Sequence, residues 1–308
     1  MGAKKNIYRI RNYEPSDWSS YVKLHHEAEK VDEAGFTPSP RVFKEHLQCP
    51  NYSPDKNLFI AETKDDLVGC MNVTPETGIG RVVLHCLVHP YHRQQGLASS
   101  LLSYAYKRAR VLDVKLAHIN IHQDNEVGKV VLVKRGFKYI RKFLEMQKNL
   151  AETSPAEKDL SSSPIEYRHL QPGQEDMLTR LQNQAFAGSW GFNPNTVEEI
   201  AYRTNLKDSS AEDVILAYLD GQPAGYCWTN REPGASKGKI HMMGVAPAYR
   251  GMKLGKGLLK KALSYLKEKG IQKVELTVDS NNQQAYHLYC SLGFKVWTTT
   301  LWYEKTLQ

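Results

Sequence analysis

The chain is poor in cysteine, and its cysteines and histidines do not cluster. Among 308 residues there are five cysteines, and no two of them form a Cys-x-x-Cys pair. An odd number of scattered cysteines argues against a disulfide framework and against a zinc site, and it fits a reducing compartment. The 11 histidines form no His-Glu-x-x-His motif. We therefore expect a protein without a bound metal.

Long apolar runs are absent as well. No run approaches the roughly 20 apolar residues that span a bilayer. The basic stretch from Met1 to Arg9 lacks the apolar core and the small-residue cleavage site of a signal peptide. These two absences predict a cytoplasmic protein that does not enter a membrane.

Positive charge is in excess but is not concentrated in any segment. The chain has 41 Lys and Arg against 33 Asp and Glu, a net charge of +8, which is compatible with nucleic acid or with an anionic cofactor. The basic residues are spread over both halves, with no basic block. We expect a solvated basic surface and no nucleic-acid partner. The sequence does not indicate an oligomeric state.

The sequence does contain a duplication. Eight residues recur as the same type 157 positions later. In the first copy they are Val88, Pro90, Arg93, Leu101, Leu102, Asn125, Gly136 and Phe137. In the second they are Val245, Pro247, Arg250, Leu258, Leu259, Asn282, Gly293 and Phe294. Because solenoid repeats are only about 20–50 residues long, each copy is a whole domain.

A polar segment separates the two copies. Residues 152–164 are rich in Ser, Pro and charge and have no periodicity, which is typical of a linker. We place the first domain at 1–150, the linker at 151–164 and the second domain at 165–308. In each copy the pattern predicts a strand, two helices, three strands, and then helix, strand, helix and strand. This order predicts a mixed α/β fold, an α+β arrangement on a mixed sheet.

The most informative segment joins a strand to a long helix in both copies. It runs from Val88 to Leu102 in the first copy and from Val245 to Leu259 in the second. The first N–H groups of a helix are free and lie at the positive end of its dipole. Glycine or alanine there lets a diphosphate approach the backbone closely. The segment therefore predicts a diphosphate-binding turn, with an ordinary strand–turn–helix junction as the alternative.

These residues resemble the GNAT superfamily of N-acetyltransferases, whose pyrophosphate loop reads Gln/Arg-x-x-Gly-x-Gly/Ala. Residues 93–98 match it at every position, and residues 250–255 match except that Lys253 replaces the middle glycine. The family's second motif, Asn-x-x-Ala-x-x-Leu-Tyr followed by Gly-Phe, is complete from Asn282 to Phe294 and weakened from Asn125 to Phe137. Both motifs occur twice, so the resemblance covers nearly the whole chain.

The resemblance implies two tandem GNAT-like domains and acetyl-CoA as the cofactor. In the second copy it places at the cofactor Met243, Gly244, Val245, Arg250, Gly251, Met252, Lys253, Leu254, Gly255, Lys256 and Asn282. In the first copy it places there Leu87, Val88, Arg93, Gln94, Gln95, Gly96, Leu97, Ala98 and Ser99. Lys253 keeps its backbone N–H for the diphosphate, provided that it adopts the backbone angles of the loop.

Acetyl transfer to an amine needs a proton donor for the leaving thiolate and an acceptor for the amine proton. In similar GNAT enzymes the donor is the tyrosine of the second motif, which is Tyr289 in this chain. It lies two helical turns after Asn282, so both face the same way, and a reference pKa of about 10 keeps it protonated. A tyrosine that only packs in the core is the alternative. The first copy has Leu132 there and cannot donate.

The strand before the loop offers the candidate base. Counting back by twos from Val245 places Met243, His241 and Lys239 on one face. His241 is the better base, with a reference pKa of about 6.5. A histidine tied to a neighbour, or a chain of waters in place of a base, is the alternative. The same count in the first copy gives no base, so we expect that copy to be inactive and to serve as a CoA-binding or scaffold domain. Its residues there are Cys86, Leu84 and Val82.

Two segments and the tandem architecture resemble the mycothiol synthase family, which acetylates the cysteinyl amine of a small thiol glycoside in its C-terminal domain. The segments are residues 225–229 and 238–247. That family has glutamate where this chain has Lys239. A lysine in an acceptor pocket repels a cationic amine and attracts an anionic group. Trp190 and Phe192, beside glycines, form a wall for the acceptor or an aromatic lid packed on the core.

We therefore predict an acetyl-CoA-dependent N-acetyltransferase, an acyltransferase of EC 2.3.1 type. The acetyl group passes directly, in the C-terminal domain, to a primary amine of a small molecule or peptide. A covalent acyl-cysteine through Cys290 is disfavoured because no histidine partner is identifiable by motif. The alternative from another class is a CoA-binding regulatory or scaffold protein without turnover.

Overall fold

A computed structural model describes residues 8–32, 39–151, 165–206, 209–231 and 236–307. The predicted linker, apart from Ala151, lies outside the described residues. The chain forms two compact units. The first comprises Met1–Asn120, Lys129–Tyr139 and Tyr303–Gln308, and the second comprises Ile121–Gly128 and Ile140–Trp302. None of the helices described is long and apolar enough to cross a membrane.

Most of the first unit is built by elements from the first half of the chain, of which residues 121–128 belong to the second unit. These elements are β1 (Arg9–Asn12), α1 (Trp18–Asp32), α2 (Pro40–Leu47), α3 (Pro54–Asn57), β2 (Leu58–Glu62), β3 (Leu67–Glu76), β4 (Arg81–Val88), α4 (Leu97–Val111), β5 (Leu116–His122) and α5 (Glu126–Lys134). The strand order is β1-β2-β3-β4-β5, antiparallel except that β4 and β5 pair in parallel. The end of the chain also joins this unit, since the Leu307 N–H donates to the Lys115 carbonyl at 2.7 Å.

The second unit repeats this order and adds a strand from the first copy. Its elements are β6 (Lys138–Asn149), β7 (Ile165–His169), α6 (Glu175–Phe186), α7 (Val197–Thr204), β8 (Val214–Leu219), β9 (Gln222–Arg231), β10 (Lys237–Val245), α8 (Leu254–Glu268), β11 (Lys273–Asp279), α9 (Gln283–Ser291) and β12 (Lys295–Thr306). The strand order is β7-β8-β9-β10-β11-β6. Strands β10 and β11 pair in parallel and the others antiparallel. Thus β6, which ends the first copy in the sequence, pairs with β11 of the second.

The predicted mixed α/β fold is confirmed, and both copies show the predicted order of elements. The short helix α3 is an addition that the apolar pattern does not predict. Thr196 caps α7 in a capping box with Glu199. The helix α8 ends at Glu268, just before Gly270, whose φ of +83° is left-handed.

Two apolar cores cover the two faces of the second unit's sheet. On one face α8 packs through Leu258 and Leu266 against Ile240 of β10. On the other face α6 and α7 pack through Leu178 and Ile200 on β8 and β9. We call these the α8 face and the α6 face. The amphipathic α8 buries one stripe of leucines, and this fixes which side chains of β10 are left for a site.

Candidate active site

Strand β10 carries a β-bulge at His241. Ile240 pairs with Thr229 and Met242 with Trp228, so His241 is the extra residue of the strand. The bulge shifts the alternation of side chains by one position. Ile240 and Met243 therefore both pack on the α8 face, and the His241 ring lies 5.6 Å from the Trp228 ring.

The prediction that Met243, His241 and Lys239 lie on one face of the strand is therefore wrong for Met243. Lys239 alternates with the buried Ile240, so it points to the α6 face, where Trp228 belongs to the core. His241 and Lys239 share that face, and Met243 lies on the opposite one. The physical reason is the extra residue of the bulge, which period-two counting does not include.

Beyond the bulge, β10 separates from β11. The two strands pair in parallel from Lys237 with Lys273 to Ile240 with Leu276, and the described ladder ends there. The backbone groups of β10 on that side are thus open to a ligand from His241 onward. In the first unit, β4 and β5 part in the same way after Leu84. However, the register of β4 on β3 runs unbroken over residues 81–88, so β4 has no bulge.

The two loops share one backbone conformation, but glycine occupies the second left-handed position in the first loop and the first left-handed position in the second loop. In the first copy Gln94 and Gly96 have φ of +62° and +83°. In the second, Gly251 and Lys253 have φ of +81° and +61° at the equivalent positions. Each loop thus holds one glycine and one other residue in the left-handed region. Lys253 therefore adopts the backbone angles of the loop, which was the condition for its N–H to face a diphosphate.

The two loop arginines hold the loop to the strand. Arg250 Nε donates to the Val245 carbonyl at 3.2 Å, and its Nη2 donates to the Ala185 carbonyl of α6 at 2.8 Å. Arg93 Nε donates to the Val88 carbonyl at 3.1 Å. These bonds set the position of the turn that the helix N-terminus follows.

The other residues predicted at the cofactor divide into backbone and side-chain positions. Leu254 and Leu97 are buried in the cores, so only their backbone N–H groups are available to a ligand. Gly255, Lys256, Ala98 and Ser99 lie in the first turns of α8 and α4, whereas Leu87, Gln95 and Met252 lie in the strand end or the loops before them. Asn282 caps α9, where its Oδ1 accepts from the Ala285 N–H at 3.1 Å.

Gly244 is required for packing. A Cβ there would lie 2.8 Å from the Ala185 Cβ of α6. This close approach brings α6 onto the strand end beside the loop.

Tyr289 lies on α9, 8% exposed, and belongs to the core of the α8 face. Burial, and then the neighbouring Cys227, raise the pKa of its phenol well above 10, so it stays protonated. Cys227 is the register partner of Met243, which places Tyr289 beside the open part of β10. In the first copy Leu132, 5% exposed, stands at the equivalent position.

His241 lies among positive charges. Burial, followed by the charges of Arg203 and Lys239, lowers its pKa to about 4. Although many protein atoms surround the ring, its accessible surface is that of an exposed residue. The direction nevertheless follows from both causes, because each disfavours the imidazolium. His241 is therefore neutral at pH 7.

The predicted acceptor aromatics pack against protein and remain half-buried. The Trp190 ring lies 6.0 Å from Phe143 and 5.7 Å from Trp302, with the Arg141 guanidinium 4.9 Å from its centroid. Phe192 stacks on Phe186 of α6 at 5.2 Å.

Two site features escape sequence reasoning. The charge of Arg203 on α7 acts on His241, and no motif marks this residue. His85 of β4 stacks near His25 of α1, with ring centroids 6.3 Å apart, although the count by twos in the first copy passes it over. Burial lowers the pKa of His85, so that ring is also neutral.

Both copies match GNAT sequences. The Acetyltransferase (GNAT) family matches residues 176–294, and the Acetyltransferase (GNAT) domain matches residues 54–139. Two tandem GNAT domains define an acetyl-CoA-dependent N-acetyltransferase. The chain belongs to the GNAT acetyltransferase family, and it transfers an acetyl group to an amine. These matches favour the enzyme over the regulatory alternative.

Relatives of known sequence or structure align over most of the chain. A mycothiol acetyltransferase of Stackebrandtia nassauensis is 31% identical over 264 residues, which are 82% of this chain and 84% of that one. A GCN5-related N-acetyltransferase from Sphaerobacter thermophilus has a TM-score of 0.78 at 20% identity, covering 99% of this chain and 97% of that one. A tandem GNAT protein from the clavulanic acid biosynthesis pathway has a TM-score of 0.75 at 15% identity, with 98% and 99% covered.

Proposed function

We propose that the second unit performs the acetyl transfer and that the first unit does not turn over. The observation that carries this proposal is the bulge at His241 beside an open strand edge, with Tyr289 on the opposite face of β10. The first unit has the open edge without a bulge, and Leu132 replaces the tyrosine.

The residues of the second unit fit acetyl-CoA, which supplies a thioester-linked acetyl group when bound. The N–H groups of Leu254, Gly255 and Lys256 begin α8 and suit a diphosphate. Lys253 adds a positive charge at the same place. The open edge of β10 after Ile240 offers N–H and C=O groups to an extended chain and an N–H to an acyl oxygen.

Tyr289 and His241 handle protons on opposite sides of the strand. The Tyr289 phenol donates its proton to the departing sulfur, and its raised pKa keeps that proton available at neutral pH. The neutral His241 ring accepts the proton that the attacking amine releases. The lowered pKa of His241 makes it a weak base, which suffices because the amine proton becomes strongly acidic as the new C–N bond forms.

The acceptor reaches His241 from the α6 face. The relative named above is a mycothiol acetyltransferase, and its acceptor comes to this chain only as a candidate because Lys239 replaces an acid in that family's pattern. The supported class is a primary amine of a small molecule or a peptide.

One matched pair of substitutions tests which copy turns over. Ala98 and Gly255 are equivalent residues in the first turns of α4 and α8. Gly255→Trp fills the second loop and is expected to abolish CoA release from acetyl-CoA with an amine panel. Ala98→Trp is expected to leave the turnover number within about twofold. Loss of activity in Ala98→Trp with retention in Gly255→Trp assigns the reaction to the first copy instead.

A further inference from the structure

We infer that the second unit selects an amine that also carries an anionic group, and that Arg203 and Lys239 recognise that group. This inference rests on the proposed function of the second unit. It adds a substrate class and names Arg203 as a specificity-determining residue.

Arg203 is held in a fixed position on the α6 face. Its Nη1 donates to Asn195 Oδ1 at 3.3 Å. Asn195 is itself fixed from three sides, since its Nδ2 donates to Gln182 Oε1 at 3.1 Å and its backbone exchanges two 3.0 Å bonds with Asn183. A half-buried guanidinium supported in this way is preorganised to bind a planar anion.

Neither cation has a carboxylate partner within the described residues. The hydrogen bond of Arg203 to Asn195 is to a neutral amide. Lys239 is exposed beside the bulge, with the neutral Asn230 as its register partner. Both charges act on His241, and both lower its pKa. Two positive charges on the same face as the proton acceptor, without a carboxylate partner among the described residues, favour binding of a ligand anion.

The anion belongs to the acceptor and not to the cofactor. Lys239 lies six residues before Val245, where the loop begins, which is about 20 Å along an extended strand. The diphosphate site at the start of α8 is beyond that distance. The anion is, however, close to the reacting amine, because Lys239 and His241 are two residues apart, about 7 Å. This spacing fits an amine and a carboxylate or phosphate separated by a few bonds.

The anionic group of the acceptor is either a carboxylate or a phosphate, and paired acceptors distinguish the two. Glycine, γ-aminobutyrate and glycylglycine are each compared with their amides, which differ only in the carboxylate. O-phosphoethanolamine is compared with ethanolamine for phosphate. A charge-assisted hydrogen bond of about 1.5–3 kcal/mol predicts a roughly 10–100-fold preference in kcat/KM for the anionic member of at least one pair.

Variants connect that preference to the two side chains. Arg203→Gln and Lys239→Gln are each expected to reduce the preference about tenfold through the KM of the acceptor, with the KM of acetyl-CoA unchanged. Arg203→Glu should favour the neutral member. Arg180→Gln is the matched control, because Arg180 lies on the exposed side of α6 and pairs with Asp176. It removes the same charge and should leave the preference intact.

The outcomes separate the inference from the proposed function. Equal kcat/KM for acids and amides, with activity that still requires Gly255, overturns the inference and leaves the proposed function standing. Calorimetry with the N-acetylated acids and amides gives a reading without turnover. The acid is expected to bind more tightly to the wild type, and Arg203→Gln should remove the difference. Equal binding of acid and amide to the wild type contradicts the inference whether or not turnover is seen.

Discussion

Lys253 takes the backbone conformation that Gly96 takes at the equivalent position of the first copy. Both residues precede the first turn of a long helix, with φ of +61° and +83°. A side chain in the left-handed region costs about 1–2 kcal/mol, a cost that glycine avoids. The second loop therefore keeps a strained residue at this position, and under the proposed function the lysine charge beside the diphosphate compensates for that strain.

Lys253→Gly separates these two effects. It is expected to raise the free energy of unfolding by up to about 1 kcal/mol, because relief of strain exceeds the added chain entropy of glycine. The same variant should raise the KM of acetyl-CoA several-fold through loss of a cation. Thermal melting and steady-state kinetics measure the two effects. Gly251→Ala is the opposite control, and it should destabilise by about 1 kcal/mol because Gly251 has φ of +81°.

Tyr289→Phe is expected to lower kcat by about 10²–10⁴-fold with little change in the KM of acetyl-CoA. The reason is loss of the proton donor at the sulfur, since the ring and its packing remain. The raised pKa of Tyr289 also predicts no alkaline loss of activity from this residue below pH 10. Rate measurements with a CoA-trapping reagent from pH 6 to pH 10 check both statements.

Tyr286→Phe provides the control for that experiment. Tyr286 lies one turn earlier on α9 and packs against the same core, but it has no part in the proposed proton transfers. Its substitution should leave kcat within about twofold. A Tyr289→Phe variant as active as Tyr286→Phe would remove Tyr289 from the acid role and leave it a core residue.

The loops and α9 could be predicted because both copies repeat them. The offset of 157 residues aligns Gly96 with Lys253 and Leu132 with Tyr289, so the sequence alone identifies the equivalent positions and the absence of a tyrosine in the first copy. Apolar periodicity likewise predicts α8 and its buried leucines. These features are local, and local patterns survive in one sequence.

The bulge and Arg203 could not be predicted, because both depend on pairing between distant segments. Period-two counting treats His241 as one more residue of β10, whereas its extra place arises from the register on β9. The charge of Arg203 acts on His241 only when α7 packs on the α6 face. The pairing of β6 with β11 has the same origin, since nothing local in either strand names its partner.

Glu304→Ala is expected to destabilise the first unit by about 1–3 kcal/mol. Glu304 lies near the end of β12, and its Oε2 accepts from His118 Nε2 at 2.8 Å. His118 is 3% exposed, and its Nδ1 accepts from Arg81 Nη1 at 2.8 Å. Removal of the carboxylate leaves the buried Nε2–H without this acceptor. A lower midpoint in urea measures the loss. Glu304→Gln, which keeps an acceptor oxygen, should lose less, and equal losses would show that the hydrogen bond is not the cause.

Arg203→Gln is expected to change the acid side of the pH profile. His241 accepts a proton only when neutral, so its contribution is lost as pH falls through its pKa, which burial, Arg203 and Lys239 together lower to about 4. Trp228, which contacts the ring from β9, adds no charge. Removing Arg203 takes away one of the two charges that disfavour the imidazolium, so the pKa rises toward the ordinary value of about 6.5.

The measurement is kcat/KM for a neutral acceptor such as glycinamide, so that binding of an acceptor anion plays no part. Below the pKa of the amine, protonation of the amine lowers the logarithm of kcat/KM by one for each unit that the pH decreases. Below the pKa of His241, protonation of its ring as well raises this slope to two. In the wild type this break lies near pH 4, and in Arg203→Gln it should move upward by a measurable fraction of a pH unit. His241→Gln should show no break in the same range. Superimposable wild-type and Arg203→Gln profiles would mean that the amine proton leaves by a route other than His241.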